Sequence, residues 1–151
     1  MALADLFYSA LNPLVTALLR SPLHGLGSAN LCVLTFRGRR SGKRYSTPLS
    51  YAREGSLVRL LSSQRTKWWK NFLLEPAEVE IEIAGRTHHG RARALVFDDE
   101  AYREGIRRFL SAVPRDARVY GIRLDADKQP REDDLEKASG HVVLVEVELA
   151  D

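Results

Sequence analysis

The chain has 151 residues, 44% hydrophobic and 28% charged, a globular composition with enough for one core that excludes a chain disordered throughout. Its formal net charge is only +3, so a chain-wide nucleic-acid field is excluded and any basic site must be local. The single cysteine, Cys32, excludes an internal disulfide; it sits in an apolar run and reads as a buried, inert thiol. The N-terminus has no basic n-region, Asp5 comes early, and no apolar run reaches membrane-spanning length. A cytoplasmic protein is expected.

Residues 3 to 19 carry a helical pattern, with Leu3, Leu6, Phe7, Leu11, Leu14, Val15 and Leu18 at three- and four-residue steps. Asn12-Pro13 interrupts it and predicts two short helices or one kinked helix. This segment reads as a cover for one end of the core. A weak membrane contact is the alternative, and the scarcity of Lys and Arg on its polar face argues against it. Residues 21 to 28 form a linker in which His24 is a loop residue. Strands follow at roughly 31–37, 46–52, 57–62, 78–84 and 87–96. On the last pair Val79, Ile81 and Ile83 face Ala92, Ala94 and Val96, while the adjacent His88 and His89 point to opposite faces and cannot share a metal. A helix opens at Asp98-Asp99-Glu100, continues through Ala101, Gly105, Ile106, Phe109, Leu110 and Val113, and ends at Pro114. Residues 115 to 130 are irregular and hold Tyr120. A short polar helix at 132–139 stops at Gly140, and Val142 to Leu149 is a closing strand. The pattern is mainly β with flanking helices. About six antiparallel strands suit a small barrel, a single domain over 1–151 with its helical segment at about 3–19.

The stretch from Thr35 to Leu49 stands out. Two strands flank a loop with Arg37, Arg39, Arg40, Lys43 and Arg44, two glycines and Ser41. Gly38 and Gly42 permit positive φ, which would turn backbone N–H groups inward around an anion, most plausibly a phosphate. A solvated basic hairpin is an equal alternative from charge and spacing alone. Elsewhere no nucleophile has a base in a known motif, and the dinucleotide and P-loop fingerprints are absent. Redox chemistry here would have to come from a cofactor.

Gly38-Arg39-Arg40-Ser41-Gly42, then Thr47-Pro48-Leu49, resembles the Gly-Arg-Lys-Ser/Thr-Gly…Thr/Asn-Pro-Leu signature of the deazaflavin-dependent nitroreductase family. Trp68-Trp69-Lys70-Asn71-Phe72, with Glu75-Pro76 and a strand from Val79, resembles its Trp-Tyr-x-Asn-Leu…Asn-Pro-x-Val block. The resemblance covers about residues 31 to 95. It implies a split β-barrel of the FMN-binding type. It also implies hydride transfer from a reduced deazaflavin, coenzyme 420, to a small-molecule acceptor such as a quinone or nitroaromatic. The implied cofactor-binding residues are Arg39, Arg40, Ser41 and Gly42 for the phosphorylated tail, with Thr47 and Pro48 beside them. Ser63 and Gln64 fall on the family's Ser-Lys positions. Trp68 falls beside the ring, and Asn71 on the asparagine of the second block. Tyr120 falls where the family places tyrosines on the substrate side, and is the catalytic candidate.

Two departures keep FMN open as an alternative cofactor: Tyr45 stands where the family usually has Arg, and the loop before Trp68 is short and lacks glycines. A non-catalytic cofactor- or ligand-binding module is the alternative from another class. A nucleic-acid module is disfavoured, since only Tyr45 offers an aromatic beside the basic loop. The tandem tryptophans have a packing reading as well as a cofactor reading. Only one of the two is expected to face inward, with Trp68 lining the ring site and Trp69 in the core. Monomer and homodimer both remain open.

Overall fold

The computed structural model describes residues 30–150. The helical pattern at 3–19 and the linker with His24 therefore lie outside the described residues, as does the segment to which a membrane contact was assigned. No helix among the described residues is long and apolar enough to cross a membrane.

Six strands form the fold: β1 (Leu31–Arg37), β2 (Arg44–Glu54), β3 (Leu57–Ser63), β4 (Ala77–Ile83), β5 (Arg86–Leu95) and β6 (Val142–Leu149). They close a barrel in the order β1-β2-β3-β6-β5-β4, every neighbouring pair antiparallel, with β4 returning to β1. Alternation sets the inner face: Cys32, Leu34 and Phe36 on β1 meet Val79, Ile81 and Ile83 on β4 and Val143, Val145 and Val147 on β6. His88 is buried and His89 exposed, on opposite faces of β5.

The barrel is split. Residues 44–50 of β2 pair with β1, whereas only Tyr51–Glu54 pair with β3. The upper part of β3, Leu61–Ser63, pairs with β6 alone. Strand β2 therefore begins two residues earlier than the alternation predicts and changes partner midway. Tyr51 sends its N–H to Asn30, on the β1 side. By alternation Pro48 turns its nitrogen toward the parting, where a missing N–H breaks no ladder bond.

Helix α1 (Glu100–Ala112) lies on the outer face of the sheet, and Asp99 caps it by accepting the Tyr102 N–H. Its buried stripe is Tyr102, Gly105, Ile106, Phe109 and Leu110. The sequence expectation started that stripe at Ala101, which is exposed; Tyr102 takes the place because its hydroxyl reaches the Val142 carbonyl at 2.7 Å. Helix α2 (Glu132–Ala138) adds Leu135 and Ala138 to the same outer cluster. These helices bury the outer side of β6 as well as the inner. Leu144 packs under α1, and buried Glu146 meets Arg93 at 2.6 Å and Arg59 at 3.5 Å.

Two measurements check this packing. A glycine inside a helix costs about 1 kcal/mol against alanine. At Gly105, however, a Cβ would lie 2.3 Å from Cδ2 of fully buried Leu144. Gly105→Ala is therefore expected to lower stability by about 1–3 kcal/mol in urea unfolding, because overpacking outweighs propensity; a more stable variant contradicts the close approach. Burial pushes the Cys32 thiol up beyond its usual range. Raising pH through the ordinary thiol range should therefore leave it unalkylated in the folded protein and reactive only in denaturant.

Candidate functional site

Because neighbouring strands are antiparallel, β1, β3 and β5 all end at one rim. That rim receives the 38–43 loop, the 64–76 connection and the entry to α1. The loop is closed by short bonds: Gly38 N–H to the Lys43 carbonyl at 2.8 Å, Gly42 N–H to the Gly38 carbonyl at 2.8 Å, and Lys43 N–H to Ser41 Oγ at 3.1 Å. Arg37 Nη1 reaches the Gly42 carbonyl at 3.2 Å.

This geometry corrects the expected inward-turned nest of N–H groups. Only Gly42 has positive φ, +69°. Gly38 instead allows a close approach: a Cβ there would lie 2.9 Å from Ser41 Oγ and displace that side chain from its bond to Lys43 N–H. Three of the six loop N–H groups, those of Gly38, Gly42 and Lys43, close the loop on itself; among the described residues, none of the bonds engages those of Arg40 and Ser41, adjacent at the exposed tip. Anion attraction must come chiefly from side chains. Arg44 is neutralised by Glu80 at 2.7 Å, whereas among the described residues no ion pair holds Arg39, Arg40, Lys43, Arg65 or Lys67.

The second sequence block forms a 3₁₀ turn, Trp68–Phe72. It buries Trp68, Trp69 and Phe72 together, so the expectation that only one tryptophan faces inward is overturned: a turn of three residues, unlike a strand, lets neighbours share an apolar cluster. The Trp68 indole N–H donates to Ser62 Oγ at 3.0 Å. The Trp69 indole N–H is buried without a partner. An aromatic row runs from this turn to the loop: Trp68 and Phe72 at 6.2 Å edge-on, Phe72 and Phe36 at 5.7 Å edge-on, Phe36 and Tyr45 stacked at 5.8 Å. Asn71 joins the two segments directly. Its Oδ1 accepts the Arg39 N–H at 2.9 Å, and its Nδ2 donates to the Trp68 carbonyl at 2.8 Å.

Thr47 follows on β2, opposite Leu34 on the inner face. It is buried, and its hydroxyl has no hydrogen-bond partner. Pro48 lies one residue on, at the parting of β2 and β3. Ser63 Oγ accepts the Arg65 N–H at 3.1 Å, and the Gln64 side-chain amide donates to the Ser139 carbonyl at 3.0 Å. Both residues stand on the rim, but Gln64 is turned toward the α2–β6 connection.

Tyr120 belongs to the outer cluster beneath α1, not to the inner cluster of Trp68. Its hydroxyl donates to the Leu61 carbonyl at 2.9 Å, where β3 has parted from β2. His141 Nε2 meets the Tyr120 carbonyl at 2.9 Å. The surrounding loop is held by Arg123 on Asp134 at 2.9 Å, and that guanidinium keeps the Asp134 carboxyl well below the usual range. The structure thus brings Arg39 to Gly42, Trp68 and Asn71 to one rim, holds Thr47 deeper on the inner face opposite Leu34, and sets Tyr120 on the other side of the sheet. Sequence reasoning missed Ser62 and His141. Period-two alternation from Val58 and Leu60 could have turned Ser62 inward, whereas no local signal marks His141.

Such an arrangement binds and orients rather than attacks. Cys32 is buried, and Ser41 faces its own loop. The residues fit an anionic, ring-bearing group: unpaired cations and two open N–H groups at the tip, an aromatic turn beside it, and an unpartnered hydroxyl deeper on the inner face. That hydroxyl also has a cost. Thr47→Val removes a buried unsatisfied group at nearly constant volume. It should raise the stability of the ligand-free protein by about 1 kcal/mol in thermal unfolding; a loss of stability means the hydroxyl is already satisfied.

Among solved structures, an F420-H2 dependent reductase matches with a TM-score of 0.55 and 19% identity, covering 79% of this chain and 94% of that one. A protein described as a domain-swapped dimer matches at 0.54 and 19%, covering 79% and 80%. A putative pyridoxamine 5'-phosphate oxidase from Listeria innocua matches at 0.52 and 12%, covering 85% and 92%. At these identities the likeness establishes the split-barrel fold. No curated protein matches the chain. The family model of the F420H(2)-dependent quinone reductases matches residues 21–126, spanning the loop, the tryptophan turn and Tyr120, and the chain belongs to that family.

Proposed function

We propose that this protein is a single-domain oxidoreductase that passes hydride from reduced coenzyme 420 to a quinone, with nitroaromatics as further acceptors. The family supports the cofactor and the reaction class. The observation that carries the site assignment is the meeting of a cationic loop tip and a buried aromatic turn on one rim, joined through Asn71.

When bound, the coenzyme would supply a hydride, two electrons with one proton, and the acceptor would need one further proton to become the quinol. The chain's own residues bind and orient. Arg39, Arg40 and Lys43 attract the phosphorylated tail, and the open N–H groups of Arg40 and Ser41 receive it. Arg40 offers the planar fork that suits phosphate oxygens. Gly42 sets the turn that exposes this tip, and Thr47 offers a buried hydroxyl to the ring side. Trp68, with its indole fixed by Ser62, walls the ring. Pro48 borders the parting of β2 and β3, while Tyr120, in the outer cluster, braces that parting through its hydroxyl on the Leu61 carbonyl. Ser63 and Gln64 shape the rim. Holding both reactants in one orientation is the protein's largest contribution to rate.

Arg40→Ala is expected to weaken coenzyme binding roughly tenfold or more in calorimetry, the worth of one charge-assisted bond. Because the tip is exposed, affinity should also fall as ionic strength rises. An unchanged dissociation constant, or binding flat with salt, contradicts the tail assignment.

A further inference from the structure

We propose that Asn71 is a positioning residue that couples the anion-binding tip to the tryptophan turn, so that each half of the coenzyme binds better when the other half is in place. The inference rests on the site reading above. It follows from where the two ends of one amide are used. The carbonyl end takes the Arg39 N–H and the amino end holds the Trp68 carbonyl, so both ends of the amide are engaged by backbone groups of the two segments.

The loop's remaining bonds explain why this link matters. Gly38 to Lys43, Gly42 to Gly38, Lys43 to Ser41 and Arg37 to Gly42 all stay within one hairpin. Among the described residues, the Asn71 bond alone ties the 38–43 tip to a segment outside that hairpin, one 32 residues away in sequence. The tip is exposed and carries several like charges, so an anion that gathers those charges also orders the Arg39 backbone. The bond to Asn71 then improves, and with it the placement of the Trp68 backbone. Trp68 in turn has little freedom to absorb such a shift, because Ser62 holds its indole at the other end. A coupling of this kind is reciprocal: ordering the turn must also order the tip.

The test divides the coenzyme into two probes, inorganic phosphate and the deazaflavin chromophore lacking its phosphate. Chromophore fluorescence gives its dissociation constant with and without phosphate, in the native protein and in Asn71→Ala. In the native protein, saturating phosphate should tighten chromophore binding roughly fivefold. In Asn71→Ala the mutual effect should vanish: phosphate should leave the chromophore's dissociation constant unchanged, whatever each probe's own affinity. A residue that merely supports the fold would weaken each probe separately and leave their mutual effect in place. If neither probe binds the native protein, the site reading fails. If both bind but ignore each other, the coupling is overturned. If they still cooperate in Asn71→Ala, its assignment to Asn71 is overturned. Should Asn71→Ala not fold, hydrogen exchange of the native protein decides: the chromophore alone should slow exchange at the Arg39 amide, and an unchanged rate overturns the proposal.

Discussion

Antiparallel closure is the constraint on which the site depends. In a closed barrel of antiparallel strands, alternate connections emerge at the same rim, whatever their separation in sequence. Here that rule brings the connection after β1 beside the connection after β3. Neither segment makes a site alone. The loop is charged but shallow; the tryptophan turn is apolar but carries no charge complement of its own beyond Lys70 over Trp69. Their meeting creates a surface with a charged end and an aromatic end.

The sheet also separates two apolar clusters with different duties. The outer cluster is filled by α1 and α2, and several of its polar groups are paired: Tyr102 on Val142, Arg123 on Asp134, Arg93 on Glu146. The inner cluster reaches the rim and holds buried groups without partners, the Thr47 hydroxyl and the Trp69 indole N–H. Unmet polar groups lower the stability of a folded chain by about 1–3 kcal/mol each. The two on the inner side are what a binding surface, rather than a core optimised for stability, would retain.

The cationic loop shows the same tension. Crowding Arg37, Arg39, Arg40, Lys43 and Arg44 into one turn is electrostatically unfavourable at short range. Two of the five are relieved, Arg44 by Glu80 and Arg37 by a carbonyl of the loop itself. The rest face solvent, where the opposing cost is modest and an arriving anion removes it. Since loop closure takes up half of the loop's backbone donors, the selectivity of this tip rests chiefly on the reach and number of its side chains.

The strands, α1, the closing strand and the basic loop were legible in the sequence because each is a local pattern: period-two alternation, an acidic cap with a helical stripe, two glycines among arginines. The two family blocks could likewise be read residue by residue. Local periodicity could not assign the second face of β6, which reads as solvent-facing until helices far along the chain cover it. Nor could it show that Trp68 and Trp69 are buried together, because turn type depends on the barrel end against which they pack. The roles of Gly38 and Asn71 were equally hidden, one set by the approach of Ser41, the other by a bond across the rim. Sequence by itself determined which residue types were available and which elements they form. Tertiary closure decided which of them meet, since hydrogen bonds and apolar contacts depend on proximity in space, and chain order prescribes that only for neighbours.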